Sequence, residues 1–225
     1  MLRDITFQCP ICATWFASTA VARSGSPAGT RTDFHERVNG AQLLRYSVHL
    51  CPACGFAGPS DEFSTDDVGA QSAAALSEQG PAGATCEAVA GSDKYEAAAA
   101  VATRRGAGPR QVADLLIRAG WCCVEEADPE GERYFRREAA RMFESALARY
   151  DEVGRDERAV ITYLVGELWR RIGDRARAAR WFEQVPNEVC DSAGQRWVVD
   201  LAAQQRDDPR EWLVSGARGS GRAMR

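Results

Sequence analysis

The sequence predicts a mostly α-helical protein that carries a small β zinc-knuckle, ribbon-like module at its N-terminus. Two Cys-Pro-x-Cys turns lie within the first 54 residues, and the apolar residues of the second half follow a helical period. Between these regions the composition shifts to alanine, glycine, serine and acidic residues. We therefore expect four parts: a four-cysteine zinc-ribbon-like module at 1–60, a low-complexity linker at 61–93, a helical-repeat domain at 94–206 and a disordered tail at 207–225.

Composition and charge narrow the class of protein. The 225 residues are 45% hydrophobic and carry a formal charge of −4, which argues against wholesale disorder and against a nucleic-acid-binding protein. No apolar run reaches the roughly 18–20 residues of a membrane helix, and no signal-peptide core is visible. We therefore expect a cytoplasmic protein that has no membrane partner. In that compartment the eight cysteines indicate metal ligands and small buried side chains rather than disulfides.

The two cysteine turns have the local sequence of metal knuckles. Cys9-Pro10-Ile11-Cys12 follows a short strand at Ile5–Gln8, and Cys51-Pro52-Ala53-Cys54 follows a predicted strand at 44–50. In that second strand, alternation places apolar residues on one face and His49 on the polar face. Cysteines three apart in a tight turn direct both sulfurs at one centre, and Gly55 tolerates the positive φ that such a turn needs.

Four thiolates fill a tetrahedral shell around zinc. A structural zinc site has this closed set, whereas a catalytic zinc keeps one position open for water. The predicted cofactor is thus a structural Zn²⁺, and its predicted ligands are Cys9, Cys12, Cys51 and Cys54.

The long segment between the two knuckles leaves alternatives to zinc binding open. Residues 13–50 are about twice the usual zinc-ribbon spacing; 22–29 have the composition of a loop, and 31–37 could begin an ordered segment. The four thiols could instead be unmetallated or take part in redox chemistry, although a thioredoxin-like motif should open a helix. His35 and His49 could replace a cysteine as ligand, but we expect them to lie outside the shell of metal ligands or on the surface.

The linker and the tail carry few large apolar residues. The run Gln79–Gly83 breaks secondary structure, and Cys86 lies far from any partner cysteine, so we interpret it as incidental. The tail contains Trp212 and Leu213 and is then rich in glycine, serine and arginine, which favours disorder.

Helical periodicity governs the third part of the chain. Helices are predicted at 95–105, 111–127, 132–150, 156–172, 174–185 and 195–205, with breaks at Gly106–Pro109, Asp128–Gly131 and Gly154. The run from Val165 to Phe182 resembles a tetratricopeptide repeat: it has Gly166, a Gly173-Asp174 turn and Ala178 at the expected positions. A degenerate copy precedes it, from 119 to 147. An unrelated helical bundle is the alternative.

The resemblance to tetratricopeptide repeats implies a groove that binds a protein or peptide partner. By position it is lined by Tyr163, Glu167, Arg170 and Arg171 in the better repeat and by Ile117, Trp121 and Glu125 in the weaker one. Two neighbouring arginines could hold an acidic segment or a C-terminal carboxylate. The alternative for each residue is an ordinary solvated helix face.

The order of the parts resembles a bacterial family. A Cys-Pro-x-Cys turn, an Arg-x-Asp segment at Arg31 and Asp33, and the run from His49 to Ala57 precede the predicted helices. This arrangement resembles the Domain of Unknown Function 2225 family over residues 5–60 and 95–205. The resemblance implies a metal-binding, cytoplasmic bacterial protein and aligns Arg31 and Asp33 with a polar motif. It implies no activity.

Two classes of function follow, with a third as a minor alternative. The first is a non-enzymatic scaffold in which a zinc-stabilised module accompanies a helical repeat that binds a protein. The second is a metal- or thiol-dependent enzyme, for which Asp33, His35, Glu36 and His49 are the candidate acid–base groups. The third is a nucleic-acid-binding zinc ribbon, and the scarcity of basic residues in the module argues against it.

Overall fold

The computed structural model describes residues 2–22, 25–40, 42–63, 89–191 and 194–213. Most of the predicted linker, including Cys86, and the tail from 214 onward lie outside these residues. The chain forms two compact units. The first unit comprises Met1–Pro27, Val38–Ala107 and Asp114–Phe135, and the second comprises Ala28–Arg37, Gly108–Ala113 and Arg136–Arg225. The division into four parts expected from the sequence stays a prediction.

Three small antiparallel strand pairs form the β structure of the described residues. Strands β1 (Leu2–Gln8) and β2 (Trp15–Val21) pair from Gln8↔Trp15 to Leu2↔Val21, and β3 (Pro27–Thr30) pairs with β4 (Glu36–Val38). Strands β5 (His49–Leu50) and β6 (Ala57–Gly58) form the third pair. Each cysteine knuckle is therefore the connection of a hairpin, so paired strands hold both of its ends.

The predicted strand at 44–50 is mostly wrong. Leu44–Tyr46 forms a 3₁₀ turn in which Tyr46 N donates to Leu43 O at 3.1 Å, and only His49–Leu50 is extended. Apolar residues at every second position suggested a strand, but Leu44 and Tyr46 lie in a turn that leaves them only partly buried. As a result His49, expected on a polar face, is fully buried.

Aromatic residues make the core of the first unit around the knuckles. Phe63 lies 5.2 Å from both Phe7 and Phe56, centroid to centroid, and 5.5 Å from Phe16. The buried cluster to which they belong also contains Cys9, Cys51 and Val101. A second cluster in the same unit surrounds the buried Tyr95. The buried knuckle cysteines are thus part of a hydrophobic core, not of an exposed loop.

Six α-helices occur in the described part of the chain, as the helical period predicted. They are α1 (Gly91–Arg104), α2 (Pro109–Glu126), α3 (Pro129–Leu147), α4 (Arg158–Arg171), α5 (Arg175–Gln184) and α6 (Arg196–Asp207), with 3₁₀ turns at Ser60–Glu62 and Val185–Glu188. Within the ranges described, none of these helices combines the length and apolarity that a membrane crossing requires.

Helices α4 and α5 form a tight hairpin in the second unit. Gly173 makes the turn at φ 93°, and the Asp174 carboxylate caps α5 by accepting from Arg177 N at 3.0 Å. A Cβ at Gly166 would lie 2.8 Å from the ring of Phe182. Glycine is therefore required at 166 for the two helices to approach, and Ala178 is buried beside this crossing.

Candidate metal centre and buried charge cluster

The two cysteine knuckles have the same backbone geometry. Cys9 N donates to Thr14 O at 3.0 Å and Ala13 N to Cys9 O at 2.9 Å. In the second knuckle Cys51 N donates to Phe56 O at 2.8 Å and Gly55 N to Cys51 O at 3.0 Å. The residue after the second cysteine has positive φ in both, 57° at Ala13 and 73° at Gly55. The positive φ expected from Gly55 is thus also adopted by an alanine, at the cost of some strain.

The four knuckle sulfurs converge on one point. Cys9 Sγ lies 3.5 Å from Cys54 Sγ, and Cys12 Sγ lies 3.6 Å from Cys51 Sγ; all four sulfurs are within 4.8 Å of one another. A tetrahedral zinc with bonds of about 2.3 Å needs sulfurs about 3.8 Å apart. The donor set and its spacing therefore fit a metal ion, with two ligands buried and two exposed.

The pKa values of the knuckle thiols are shifted in opposite directions. Hydrogen bonds to the side chain and then the backbone of Thr14 lower the pKa of Cys12 to about 6, whereas burial raises the pKa of Cys51 to about 12. Burial also raises the pKa of Cys54. At neutral pH these groups would not all be thiolates unless a cation replaced their protons. A divalent metal does this, and its binding would release protons.

His49 lies in the core beside the metal centre. Its Nδ1 is 2.8 Å from Ser18 Oγ and its Nε2 is 2.8 Å from Ser60 Oγ, while its ring lies 4.4 Å from that of Phe7. Burial, and then the charge of Lys94, lower the pKa of His49 to about 4. Both ring nitrogens are within hydrogen-bond distance of serine hydroxyls, so the ring of His49 is held in the core and is not part of the sulfur cluster.

A buried charge cluster forms in the second unit around Asp33. The Asp33 carboxylate is fully buried; its Oδ2 accepts from Arg136 Nη2 at 2.9 Å and lies 3.5 Å from Arg171 Nε. Burial alone would raise the pKa of Asp33, but Arg171, Arg136 and Arg31 outweigh it and hold that pKa below its usual value. Asp33 is consequently ionised at neutral pH and is the negative centre of the cluster.

Glu167 is the second buried carboxylate of the cluster. Its Oε1 accepts from Thr32 Oγ1 at 2.6 Å and from Arg171 Nε at 2.7 Å, and its Oε2 accepts from Arg170 Nε at 2.8 Å. The hydroxyl of Tyr163 donates to Thr32 O at 2.8 Å. Residues 32–33 are therefore held against α4 by both main-chain and side-chain hydrogen bonds.

The segment after α6 completes the cluster. Glu211 Oε2 accepts from Arg171 Nη1 at 2.7 Å and from Arg31 Nη2 at 3.2 Å, and Oε1 accepts from Arg170 Nη2 at 3.3 Å. The main chain pairs as well: Thr32 N donates to Glu211 O at 3.1 Å, and Leu213 N donates to Thr30 O at 2.9 Å. The sequence placed these residues in a disordered tail, but backbone pairing and ion pairs order 210–213.

The residues predicted to line a groove lie in different places. Tyr163, Glu167, Arg170 and Arg171 surround Thr32 in the second unit, with Tyr163 and Glu167 fully buried. Trp121, Ile117 and Glu125 belong to the first unit, where Trp121 is buried. The four residues on α4 stay a prediction for partner binding. In the structure they contact residues 30–35 and 210–213 of their own chain.

Sequence reasoning missed three members of the charge cluster: Thr32, Arg136 and Glu211. Arg136 is buried, although its position on α3 gave no sign of this, and Glu211 was in the predicted tail. The one available signal was the Arg-x-Asp segment at Arg31 and Asp33, whose role the sequence leaves open. Charged residues have no periodicity that reveals a burial site.

A family match supports the resemblance seen in the sequence. The family model described as "Uncharacterized protein conserved in bacteria (DUF2225)" matches residues 2–208, which contain both knuckles, the Asp33 segment and all six helices described above. No curated protein and no solved structure matches the chain. The match covers most of the 225 residues and confirms the resemblance carried by the cysteine turns, so this chain belongs to the bacterial DUF2225 family.

Proposed function

We propose that the protein is a non-enzymatic scaffold in which one structural Zn²⁺ stabilises the N-terminal hairpins and the helical part binds a protein or peptide. The observation that carries the metal assignment is the convergence of the sulfurs of Cys9, Cys12, Cys51 and Cys54 within 4.8 Å. We place the protein in the cytoplasm, where the reducing environment keeps thiols available for a metal.

The position of the sulfurs favours a structural zinc. Four thiolates leave no coordination position for water or substrate, which is the arrangement of a structural site. Cys9 and Cys51 also belong to the aromatic cluster of the first unit. Zinc binding at these ligands would therefore join two hairpins that are too short to be stable by themselves. This argument favours the scaffold over a metal-dependent hydrolase or a thiol-redox enzyme.

The interaction function rests on the α4–α5 hairpin. Gly166 against Phe182, the turn at Gly173 and the buried Ala178 are the contacts expected of a tetratricopeptide-like repeat. In such repeats the first helix of each pair presents the binding surface. Here that helix is α4, which carries Tyr163, Glu167, Arg170 and Arg171.

Metal analysis of the purified full-length chain tests the zinc assignment. We expect one zinc per chain, and Cys9→Ser should lose it together with the ordered N-terminal hairpins. Cys190→Ser is the matched control, because Cys190 is exposed and outside the sulfur cluster. A Cys9→Ser chain that keeps a full zinc, or a wild-type chain that binds none under reducing conditions, would overturn the assignment.

Affinity purification from the native host tests the interaction function. A tagged chain should recover a partner reproducibly, and Arg170→Glu should reduce the recovery. Arg196→Glu on α6 is the control, since Arg196 is exposed and forms its ion pair with the exposed Asp200. Equal recovery of the same partner by wild type, Arg170→Glu and Arg196→Glu would mean that the binding surface does not lie on α4.

A further inference from the structure

Residues 210–213, at the C-terminal end of the described chain, contact a site of three arginines, two of them on α4. Arg31, Arg170 and Arg171 each donate to the carboxylate of Glu211, which is itself half exposed at 54%. The three arginine side chains are far less exposed, at 16%, 14% and 2%. A solvent-accessible carboxylate thus satisfies cations that cannot reach solvent easily.

The charge balance of the cluster requires an anion at this position. Arg31, Arg136, Arg170 and Arg171 face the two buried carboxylates of Asp33 and Glu167. These carboxylates compensate two of the four positive charges, and Glu211 compensates a third. Withdrawal of Glu211 would leave Arg171 nearly buried with a reduced set of anionic partners, which is costly. Any displacement of the segment is therefore favourable only if another anion enters.

Two further contacts of the segment are made by its main chain and do not depend on its side chains. Thr32 N donates to Glu211 O at 3.1 Å, and Leu213 N donates to Thr30 O at 2.9 Å. These are the main-chain contacts of an added β-strand, in which an extended peptide supplies the carbonyl and amide groups. Side-chain recognition comes from Glu211 and from Trp212, whose ring packs on Gly29.

The conformation of Gly29 and its lack of a side chain allow an aromatic ring to pack on its backbone. Its φ of 129° is a conformation that favours glycine, and a Cβ at this position would lie 3.3 Å from the ring of Trp212. Because Gly29 has no Cβ, the ring of Trp212 can lie close to its backbone. An extended segment with a carboxylate followed by an aromatic residue satisfies both features.

From these contacts we propose that the site formed by Arg31, Arg170, Arg171 and Gly29 binds an extended acidic-aromatic segment of a partner protein, and that residues 210–213 occupy it in cis until the partner displaces them. The inference rests on the interaction half of the proposed function and specifies its ligand. Binding adds a strand along residues 30–32 and replaces Glu211 by a partner carboxylate, so the charge of the cluster is unchanged.

A labelled peptide with the sequence of residues 208–214, Asp-Pro-Arg-Glu-Trp-Leu-Val, is the probe. The full-length chain with Glu211→Gln and Trp212→Ala should bind it at least about tenfold more tightly than wild type does, because the internal competitor is weakened. Arg170→Gln in the same background should remove most of this binding. A peptide with glutamine in place of its glutamate should bind about tenfold more weakly.

Several outcomes would overturn the inference. These are equal peptide binding by wild type and the double variant, no effect of Arg170→Gln, absence of binding by every chain, or competition by inorganic phosphate as strong as by unlabelled peptide. A wild-type dimer that becomes monomeric with Glu211→Gln would assign the site to a second copy instead. Zinc content and host-partner recovery, measured on the same chains, separate these failures from failure of the proposed function.

Discussion

Asp33 and Arg136 form a buried ion pair although 103 positions separate them along the chain. The carboxylate Oδ2 accepts from Arg136 Nη2 at 2.9 Å, and the two side chains are 0% and 4% exposed. The pair anchors the segment after β3 in the second unit. In a buried pair the loss of one partner costs more than the pair itself contributes, because the other charge is left without compensation.

Asp33→Asn should therefore destabilise the protein by about 3–5 kcal/mol. The amide keeps the size of the carboxylate but removes the charge that faces Arg136 and Arg171. Urea unfolding followed by circular dichroism measures the change. Asp208→Asn is the control, since Asp208 is exposed and pairs with the exposed Arg210, and it should cost less than about 0.5 kcal/mol. Equal effects of the two substitutions would contradict the anchoring role.

Protonation of His49 should lower the stability of the folded chain as the pH falls. The pKa of His49 is about 4 in the folded chain, below the value of about 6.5 for an unperturbed histidine. Between these values the unfolded chain binds more protons than the folded one, so the free energy of unfolding decreases as pH falls from about 6.5 toward 4.

The measurement compares wild type with His49→Gln across this pH range. The glutamine variant is less stable at pH 7 but should lose less stability on acidification, because it has no imidazole at this position. The two chains are compared at equal metal content, so that loss of metal in acid is separated from protonation of His49. Parallel pH profiles for the two chains would show that His49 does not contribute to the acid sensitivity.

Gly166→Ala should destabilise the hairpin of α4 and α5 by about 1–3 kcal/mol. Alanine favours helix over glycine by about 1 kcal/mol, but the added Cβ would lie 2.8 Å from the Phe182 ring. Overpacking should therefore exceed the gain in helix propensity. Thermal unfolding measures the effect. A double-mutant cycle with Phe182→Leu measures how much of it comes from contact with the Phe182 ring. A stabilised Gly166→Ala chain would indicate that the crossing is looser than in the structure.

Removal of the proposed zinc should loosen the hairpins of the first unit. We expect faster amide hydrogen exchange in β1, β2, β5 and β6 after treatment with a chelator. The knuckles that connect these strands would then lose the metal ion that they share. Amides in the middle of α4 serve as an internal reference. Unchanged exchange in all four strands, with zinc shown to be absent, would mean that hydrophobic packing around Phe7 and Phe63 is sufficient without the metal.

The helices and the cysteine knuckles were predictable because their signals are local. A period of about 3.6 residues and breakers such as Gly173 identify α4 and α5, and the helical pattern needs no knowledge of distant residues. The conformation of 44–50 was not predictable in the same way. Alternation over this segment also fits a 3₁₀ turn, and the hydrogen bond from Tyr95 to Leu44 O, across 51 positions, contributes to fixing that turn.

The sequence by itself predicted the two cysteine knuckles and their use as one candidate metal site, since cysteines three apart can direct both sulfurs at one centre and four thiolates suit a tetrahedral zinc. Only the tertiary structure decided the charge cluster. Asp33, Glu167 and Glu211 come from three distant segments, and nothing in their spacing shows that they share four arginines. Ion pairs depend on distance and burial in space, whereas a sequence pattern records only neighbours along the chain.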